Sequence, residues 1–233
     1  MQDLNFFTFT NKGYIDYTNN LLESVKVNNL NINVKVYALD DSSFNFFHQF
    51  HKNTELYQRN DFANTYLSQA DENFGNLMLV KFELIYKELL INDNVVYVDG
   101  DIVFKRDFRK FLLGFSPSSE IVFQNDLRPS KPNREWVCAG FMYIQSNEKT
   151  KEFFRPTEKL VRKFTKYKTH DQSYINKKRK KFNYSILPLD EFPNGAHFYK
   201  HFETLDPYLI HFNYVRGDKK LELMKQHNEW YLK

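Results

Sequence analysis

Cysteine is nearly absent from this 233-residue chain, where Cys138 stands alone. One thiol closes no internal disulfide and excludes structural zinc sites built from several cysteines, so a reducing compartment is expected. Long apolar runs are missing too. No window approaches the roughly eighteen apolar residues of a membrane span, and Met1-Gln-Asp-Leu-Asn-Phe-Phe lacks the basic start and apolar core of a secretion signal. A soluble, cytoplasmic chain without a transmembrane segment is therefore expected. Nor is there a strong charge of one sign: 33 Lys and Arg against 29 Asp and Glu leave +4. That excess is too small for a dedicated nucleic-acid binder, so no nucleic-acid partner is expected, and a polyanionic small molecule suits it better. Internal repeats and low-complexity linkers are also lacking, which argues for one domain over residues 1–233. Its halves, 1–101 and 102–233, should share one sheet.

Apolar material is abundant. The chain is 42% hydrophobic and 18% aromatic, with 24 Phe and 15 Tyr, enough to bury a large core without covalent staples. Residues 4–9 read as a strand that ends in Thr10-Asn11-Lys12-Gly13-Tyr14, and residues 15–27 carry helix-spaced apolar positions. Residues 34–39 read as a second strand, stopped by the turn-and-cap cluster Asp40-Asp41-Ser42-Ser43. Met78, Phe82, Ile85 and Leu89 fall at spacings of four, three and four, one buried face of a helix over 75–91, with Lys81 flanking it. Residues 94–98, Asn-Val-Val-Tyr-Val, form an apolar run too short for a helix and typical of a strand buried on both faces of a parallel sheet. The second half is more mixed, with strands expected over 120–124 and 139–145, helices over 148–166 and 172–181, and a loop marked by Pro129, Pro132 and Asn133. Alternating strands and helices predict an α/β fold with a mainly parallel, Rossmann-like central sheet flanked by helices, its ligand beyond the carboxyl ends of the strands.

At such an end the strand runs into Asp99-Gly100-Asp101 before turning apolar again at Ile102. Two carboxylates in an apolar frame need a partner. Alternate side chains on extended backbone point the same way, so Asp99 and Asp101 can converge on one ion while Gly100 lets a ligand approach the backbone. Oxygen ligands of this kind suit Mg2+ or Mn2+. Late in the chain, Leu209-Ile-His211-Phe-Asn213 reads as a strand end carrying an imidazole that can serve as a third metal ligand. Gly217 with Lys219 or Lys220 opens a helix whose N-terminus can hold phosphate oxygens.

These residues resemble the nucleotide-diphospho-sugar transferase family, retaining enzymes of the GT-A-like fold related to glycogenin-like glycosyltransferases, and the likeness runs nearly end to end. It implies that Thr8, Thr10, Asn11 and Tyr14 meet the nucleotide base and that Lys81 contacts the donor. Asp99 and Asp101 match the family's D-x-D, Ala139-Gly140 its small pair beside the donor sugar, and Asp171-Gln172 the pair that opens a later helix. His211, Asn213, Gly217, Lys220 and Trp230 match a His-x-Asn stretch followed by Gly, Lys and Trp. The implied metal ligands are Asp99, Asp101 and His211. The implied donor site comprises Thr8, Thr10, Asn11, Tyr14, Lys81, Asp99, Gly100, Ala139, Gly140, Asn213, Gly217 and Lys220, with Asp171 and Gln172 as the catalytic pair. Cys138 stands where relatives often have Asn or Ser. The resemblance implies a metal-dependent glycosyltransferase that takes a sugar from a nucleotide diphosphate, UDP by default, to a glycan or other hydroxyl acceptor. With no further carboxylate announcing itself as a nucleophile, the acceptor hydroxyl would attack on the face that the leaving phosphate vacates, and that phosphate would take its proton.

Two other readings compete. A nucleotidyltransferase would need a glycine-rich phosphate loop, and Thr10-Asn11-Lys12-Gly13-Tyr14 has one glycine and a bulky tyrosine. A sugar-nucleotide or glycan-binding protein without turnover would carry the same motifs. Several other features read as structural: Lys177-Lys-Arg-Lys-Lys181 as a solvated helix end, the aromatics of 44–50 and 197–202 mostly as core, and Cys138 as a small buried hydrophobe.

Overall fold

The computed structural model describes residues 3–58, 74–127, 133–167 and 169–233. Pro129 and Pro132 of the expected loop lie outside them. Its strands are β1 (Phe6–Thr10), β2 (Val34–Ala38), β3 (Thr54–Leu56), β4 (Asn94–Val98), β5 (Ile102–Phe104), β6 (Ile121–Asn125), β7 (Val137–Gln145), β8 (Tyr184–Ile186) and β9 (Leu209–His211). Seven of them form one sheet in the order β3-β2-β1-β4-β7-β6-β8, and β5 pairs with β9 in a separate ribbon. The first four strands are mutually parallel, as is β8 on β6, while β7 runs antiparallel to both β4 and β6. The sheet is therefore mainly parallel, and strands from both halves of the chain belong to it.

Alternation across the pleat explains the two cores. In β4, Val95 and Tyr97 pack on one face against α3 (Phe74–Leu89), where Phe82, Ile85 and Leu89 are buried. Val96 and Val98 pack on the other face against Leu21, Leu22 and Val25 of α1 (Ile15–Val27). A strand buried on both sides has no use for polar alternation, which is why its sequence reads as a continuous apolar run; each buried valine contributes about 1.5–3 kcal/mol. Asp40 caps α2 (Asp41–His48), its side chain accepting from the backbone N–H of Ser43. Just before α4 (Arg109–Leu113), Phe108 gathers Phe6, Phe104, Phe141 and Phe192 edge to face within the second core.

The single helix expected over 148–166 is two, α5 (Glu148–Phe154) and α6 (Glu158–Thr165). Pro156 separates them: it forces Arg155 to extended backbone, ψ 128°, and Thr157 then caps the new start by accepting from Leu160 N–H at 3.3 Å. α7 (Asp171–Lys178) ends in a 3-10 turn at Arg179–Lys181, followed by β8 and α8 (Gly195–His201). In that basic run the lysines lie at the surface, whereas Arg179 is buried and donates to Asn176 and Glu135. Gly217, at φ +53°, opens α9 (Asp218–Gln226). Of the aromatic stretches, Phe47 and Phe198 are buried, and Phe50 and Phe202 are exposed. No helix among the described residues is long and apolar enough to cross a membrane.

The site follows from strand order. β1 has β2 on one side and β4 on the other, so the connections diverge at this point and leave a crevice beyond the carboxyl ends of both strands. Asn11 and Asp99 stand there. Because β7 is antiparallel to β4, its beginning, Cys138-Ala-Gly140, arrives at the same end, and Asp99 N–H donates to Gly140 C=O at 2.7 Å.

Candidate active site

Asp99 leaves β4, and Asp101 precedes β5 by one residue. The β5–β9 ribbon then carries His211 back to them: Ile102 faces His211 in register, and Phe212 N–H donates to Asp101 C=O at 3.0 Å. His211 Nε2 lies 3.2 Å from Asp101 Oδ1 and 3.9 Å from Asp99 Oδ2. One ligand atom from each of the three falls within 4.8 Å of the others. Ligands bound at about 2.0–2.6 Å from a common ion are separated by at most about 4–5 Å, so two carboxylates and an imidazole in this arrangement fit Mn2+ or Mg2+. Gly140 forms the wall of this cradle. A Cβ there would stand 2.3 Å from His211 Cε1 and 2.5 Å from Asp99 Oδ2.

Charge holds the cluster together. Burial would raise the Asp101 pKa, but the Lys220 ammonium and the His211 ring outweigh it and hold the carboxyl well below its usual range. Burial would lower the His211 pKa, and Asp101 outweighs it, raising the imidazole well above 6.5. Lys220 Nζ hydrogen-bonds Asp101 Oδ2, whereas Lys219 is exposed and pairs with Glu222. Lys220 is thus the lysine that reaches the cleft.

Lys81, buried on α3, joins the Asp99 carboxylate to α7. Its ammonium donates to Asp171 Oδ2 at 2.7 Å and to Ala139 C=O at 3.2 Å, and lies 3.3 Å from Asp99 Oδ1. Burial would lower its pKa, but Asp171 and Asp99 raise it above the ordinary lysine value, so it stays charged. Tyr97 donates its hydroxyl to Asp99 Oδ1 at 2.5 Å; burial and that carboxylate keep the phenol protonated. Gln172 follows Asp171 into the cleft, donating from Nε2 to Asp126 Oδ2 at 2.7 Å.

These groups line a cleft of about 580 Å³, within the range of small-ligand sites. Thr10, Asn11 and Tyr14 lie at one flank, Lys81, Asp99, Gly100 and Asp101 along the floor, and Cys138, Ala139, Gly140, Asp171, Gln172, His211, Asn213 and Lys220 around the remainder. Two expected donor-site residues stand apart. Thr8 is fully buried one pleat below Thr10, and Gly217 serves the backbone at the start of α9, where its positive φ suits glycine.

Gly100, which lines the cleft, also has a packing reason to be glycine. A Cβ there would meet Thr18 Oγ1 at 2.7 Å, so the missing side chain seats α1 against the turn. Asn213 lines the cleft while its Oδ1 accepts from Gly195 N–H at 2.7 Å, anchoring α8. Cys138 Sγ accepts from Gly140 N–H at 3.3 Å and lies 3.6 Å from His211 Nδ1, inside the wall of the Asp99-Asp101-His211 cluster. The cleft also contains Asp126, Trp136, His170, Tyr214 and Arg216, none of which carries a local sequence signal.

The profile of the nucleotide-diphospho-sugar transferases matches residues 29–224. A UDP-galactose:fucoside alpha-3-galactosyltransferase of Dictyostelium discoideum is 24% identical over 273 residues, covering 95% of this chain and 42% of that protein. The chain thus spans less than half of that relative's length. Among solved structures, the galactosyltransferase LgtC, crystallised with donor and acceptor sugar analogues, superposes with a TM-score of 0.65 at 11% identity, covering 98% of this chain and 97% of LgtC. A glycosyltransferase involved in glycosylation of the PBCV-1 major capsid gives a TM-score of 0.59 at 9% identity, over 96% and 98% of the two chains. GlyE of Streptococcus pneumoniae TIGR4 gives 0.58 at 14% identity, over 97% of this chain and 59% of GlyE. At these identities the structural likeness establishes the fold, a seven-stranded GT-A-type sheet flanked by helices.

Proposed function

The chain belongs to the nucleotide-diphospho-sugar transferase family, and from that premise we propose that it transfers a hexose from a UDP-sugar to a hydroxyl of a glycan, with retention at the anomeric carbon and dependence on a divalent cation. Galactose is the first sugar to test, because the matched Dictyostelium protein is described as using UDP-galactose. The observation that carries the reading is the convergence of Asp99, Asp101 and His211 on the floor of a cleft walled by Ala139-Gly140 and Asp171-Gln172.

Asp99, Asp101 and His211 would hold Mn2+ or Mg2+. When bound, the cation would act as a Lewis acid on the donor's two phosphates and stabilise the charge that builds on the leaving nucleoside diphosphate. Lys220 adds a positive charge beside Asp101 for the phosphate oxygens, and Thr10, Asn11 and Tyr14 flank the end of the cleft assigned to the base. Ala139 and Gly140 leave space for the sugar. Gln172, its amide oriented by Asp126, hydrogen-bonds the sugar hydroxyls. Asp171 is engaged by Lys81 and by the backbone N–H of Gln172, which makes it a positioning group and a poor nucleophile. The acceptor proton therefore goes to a donor phosphate oxygen, and no protein base is required.

Incubation with a panel of UDP- and GDP-hexoses and Mn2+ tests the proposal. We expect release of free UDP, suppressed by EDTA and restored by Mn2+. Release that persists in EDTA would refute the cation's role, and no release from any nucleotide sugar would refute turnover. The raised pKa of His211 adds a pH signature. Cation binding requires the neutral ring, so one proton must leave, whereas Asp101 is already ionised. Below the pKa of His211, Mn2+ affinity is expected to rise about tenfold per pH unit and then level off. A flat affinity profile from pH 6 to 9 would contradict this assignment.

A further inference from the structure

We infer that Gln124 is a positioning residue for His211, fixing the tautomer that turns Nε2 toward Asp99 and Asp101; the inference rests on reading those three residues as a cation site. Gln124 lies in β6, where the register with β7 breaks: Phe123 faces Met142, and Gln124 already faces Cys138. Such an irregularity re-aims a side chain. Gln124 is fully buried and makes three polar contacts. Its Nε2 donates to Phe192 C=O at 3.2 Å and to Pro193 C=O at 3.0 Å, and its Oε1 stands 2.8 Å from His211 Nδ1.

These contacts determine where the hydrogens sit. Two carbonyls can only accept, so the amide NH2 must face them and Oε1 must face the imidazole. Flipping the amide would set its oxygen against both carbonyls at a fully buried position, leaving acceptor facing acceptor. Oε1 can only accept, so Nδ1 must carry the hydrogen. In the neutral ring the lone pair then resides on Nε2, the atom 3.2 Å from Asp101 Oδ1. Cys138 Sγ, at 3.6 Å from Nδ1, is a weaker neighbour that cannot impose the same choice. His211 is tied to the same anchor through its backbone, its N–H donating to Pro193 C=O at 3.2 Å. Segment 192–194 therefore fixes both the imidazole and the amide that orients it. Partners of this kind raise a ligand's basicity and limit its rotation.

Mn2+ affinity, read by electron paramagnetic resonance in the absence of donor, tests this with Gln124→Leu, Gln124→Glu and a core control, Ile144→Val. Gln124→Leu is expected to weaken Mn2+ by about 10–100-fold. Gln124→Glu, which keeps an acceptor for Nδ1–H, should recover part of the loss, and Ile144→Val should bind as wild type does. Affinity of Gln124→Leu within twofold of wild type, or an equal loss in the core control, overturns the inference. A second readout needs no variant: the 15N spectrum of the wild-type protein with Mg2+ should show the His211 proton on Nδ1, and a proton on Nε2 overturns the inference. Mn2+ binding that survives both Asp101→Asn and His211→Ala removes the cation site itself. Binding lost in those variants but intact in Gln124→Leu overturns only the role of Gln124.

Discussion

Replacing Gly140 with alanine is expected to abolish divalent-cation binding and to cut donor turnover by at least about 100-fold, with the fold retained. The new methyl would stand 2.3 Å from His211 Cε1 and 2.5 Å from Asp99 Oδ2, well inside van der Waals contact. Neither neighbour can yield without leaving the site. The imidazole is buried and bonded at Nδ1, and Asp99 is held by Tyr97, Lys81 and its own N–H on Gly140 C=O. The backbone itself accepts alanine, since Gly217 is the glycine with positive φ among the described residues. The substitution therefore separates site geometry from folding. Circular dichroism and a thermal midpoint near that of wild type, together with lost Mn2+ binding, are the expected pair of results. Mn2+ affinity within threefold of wild type would show that the cradle is not built as described.

Lys81→Met should be the most destabilising single change in the cleft. It removes the cation from between Asp171 and Asp99 and leaves Ala139 C=O without that donor. Breaking a buried pair from one side costs about 3–5 kcal/mol, because the surviving carboxylate stays buried and uncompensated. In a chain of this size that corresponds to a fall in melting temperature of roughly 6–20 °C. The loss should be smaller in Lys81→Met/Asp171→Asn, where the stranded charge is also gone; a double-mutant cycle with no coupling between the two positions would contradict the pairing. Turnover should fall with stability, because Asp171 and Gln172 lose the tether between α7 and the D-x-D strand.

Much of the site was legible because its residues end apolar segments. Asp99 and Asp101 interrupt an apolar run at the carboxyl end of β4, and His211 closes the short strand β9. The sequence pattern could not show how these ends meet. His211 reaches the carboxylates through the pairing of β5 with β9, a contact between residues more than a hundred positions apart. Asp126, Trp136 and Gln124 escaped for the same reason: none belongs to a motif, and only the antiparallel pairing of β7 with β6 and β4 brings Asp126 and Trp136 to the cleft and Gln124 to the back of His211. Pro156 breaks the single helix expected over 148–166 into α5 and α6, because proline cannot continue a helix and pushes the residue before it to extended backbone. The two cleft glycines also serve packing that the sequence does not distinguish. Gly100 makes room for α1 and Gly140 makes room for the side chains of His211 and Asp99, although a sequence gives both the same signal of close approach.

The central claim is that the Asp99-Asp101-His211 cluster couples a cation to the donor's diphosphate. Calorimetric titration of the metal-free protein with UDP, with and without Mn2+, tests it most directly. UDP should bind tightly only when Mn2+ is present, and Asp101→Asn should erase the difference. Equal UDP affinity in Mn2+ and in EDTA, or a Mn2+ effect that persists in Asp101→Asn, would contradict the claim.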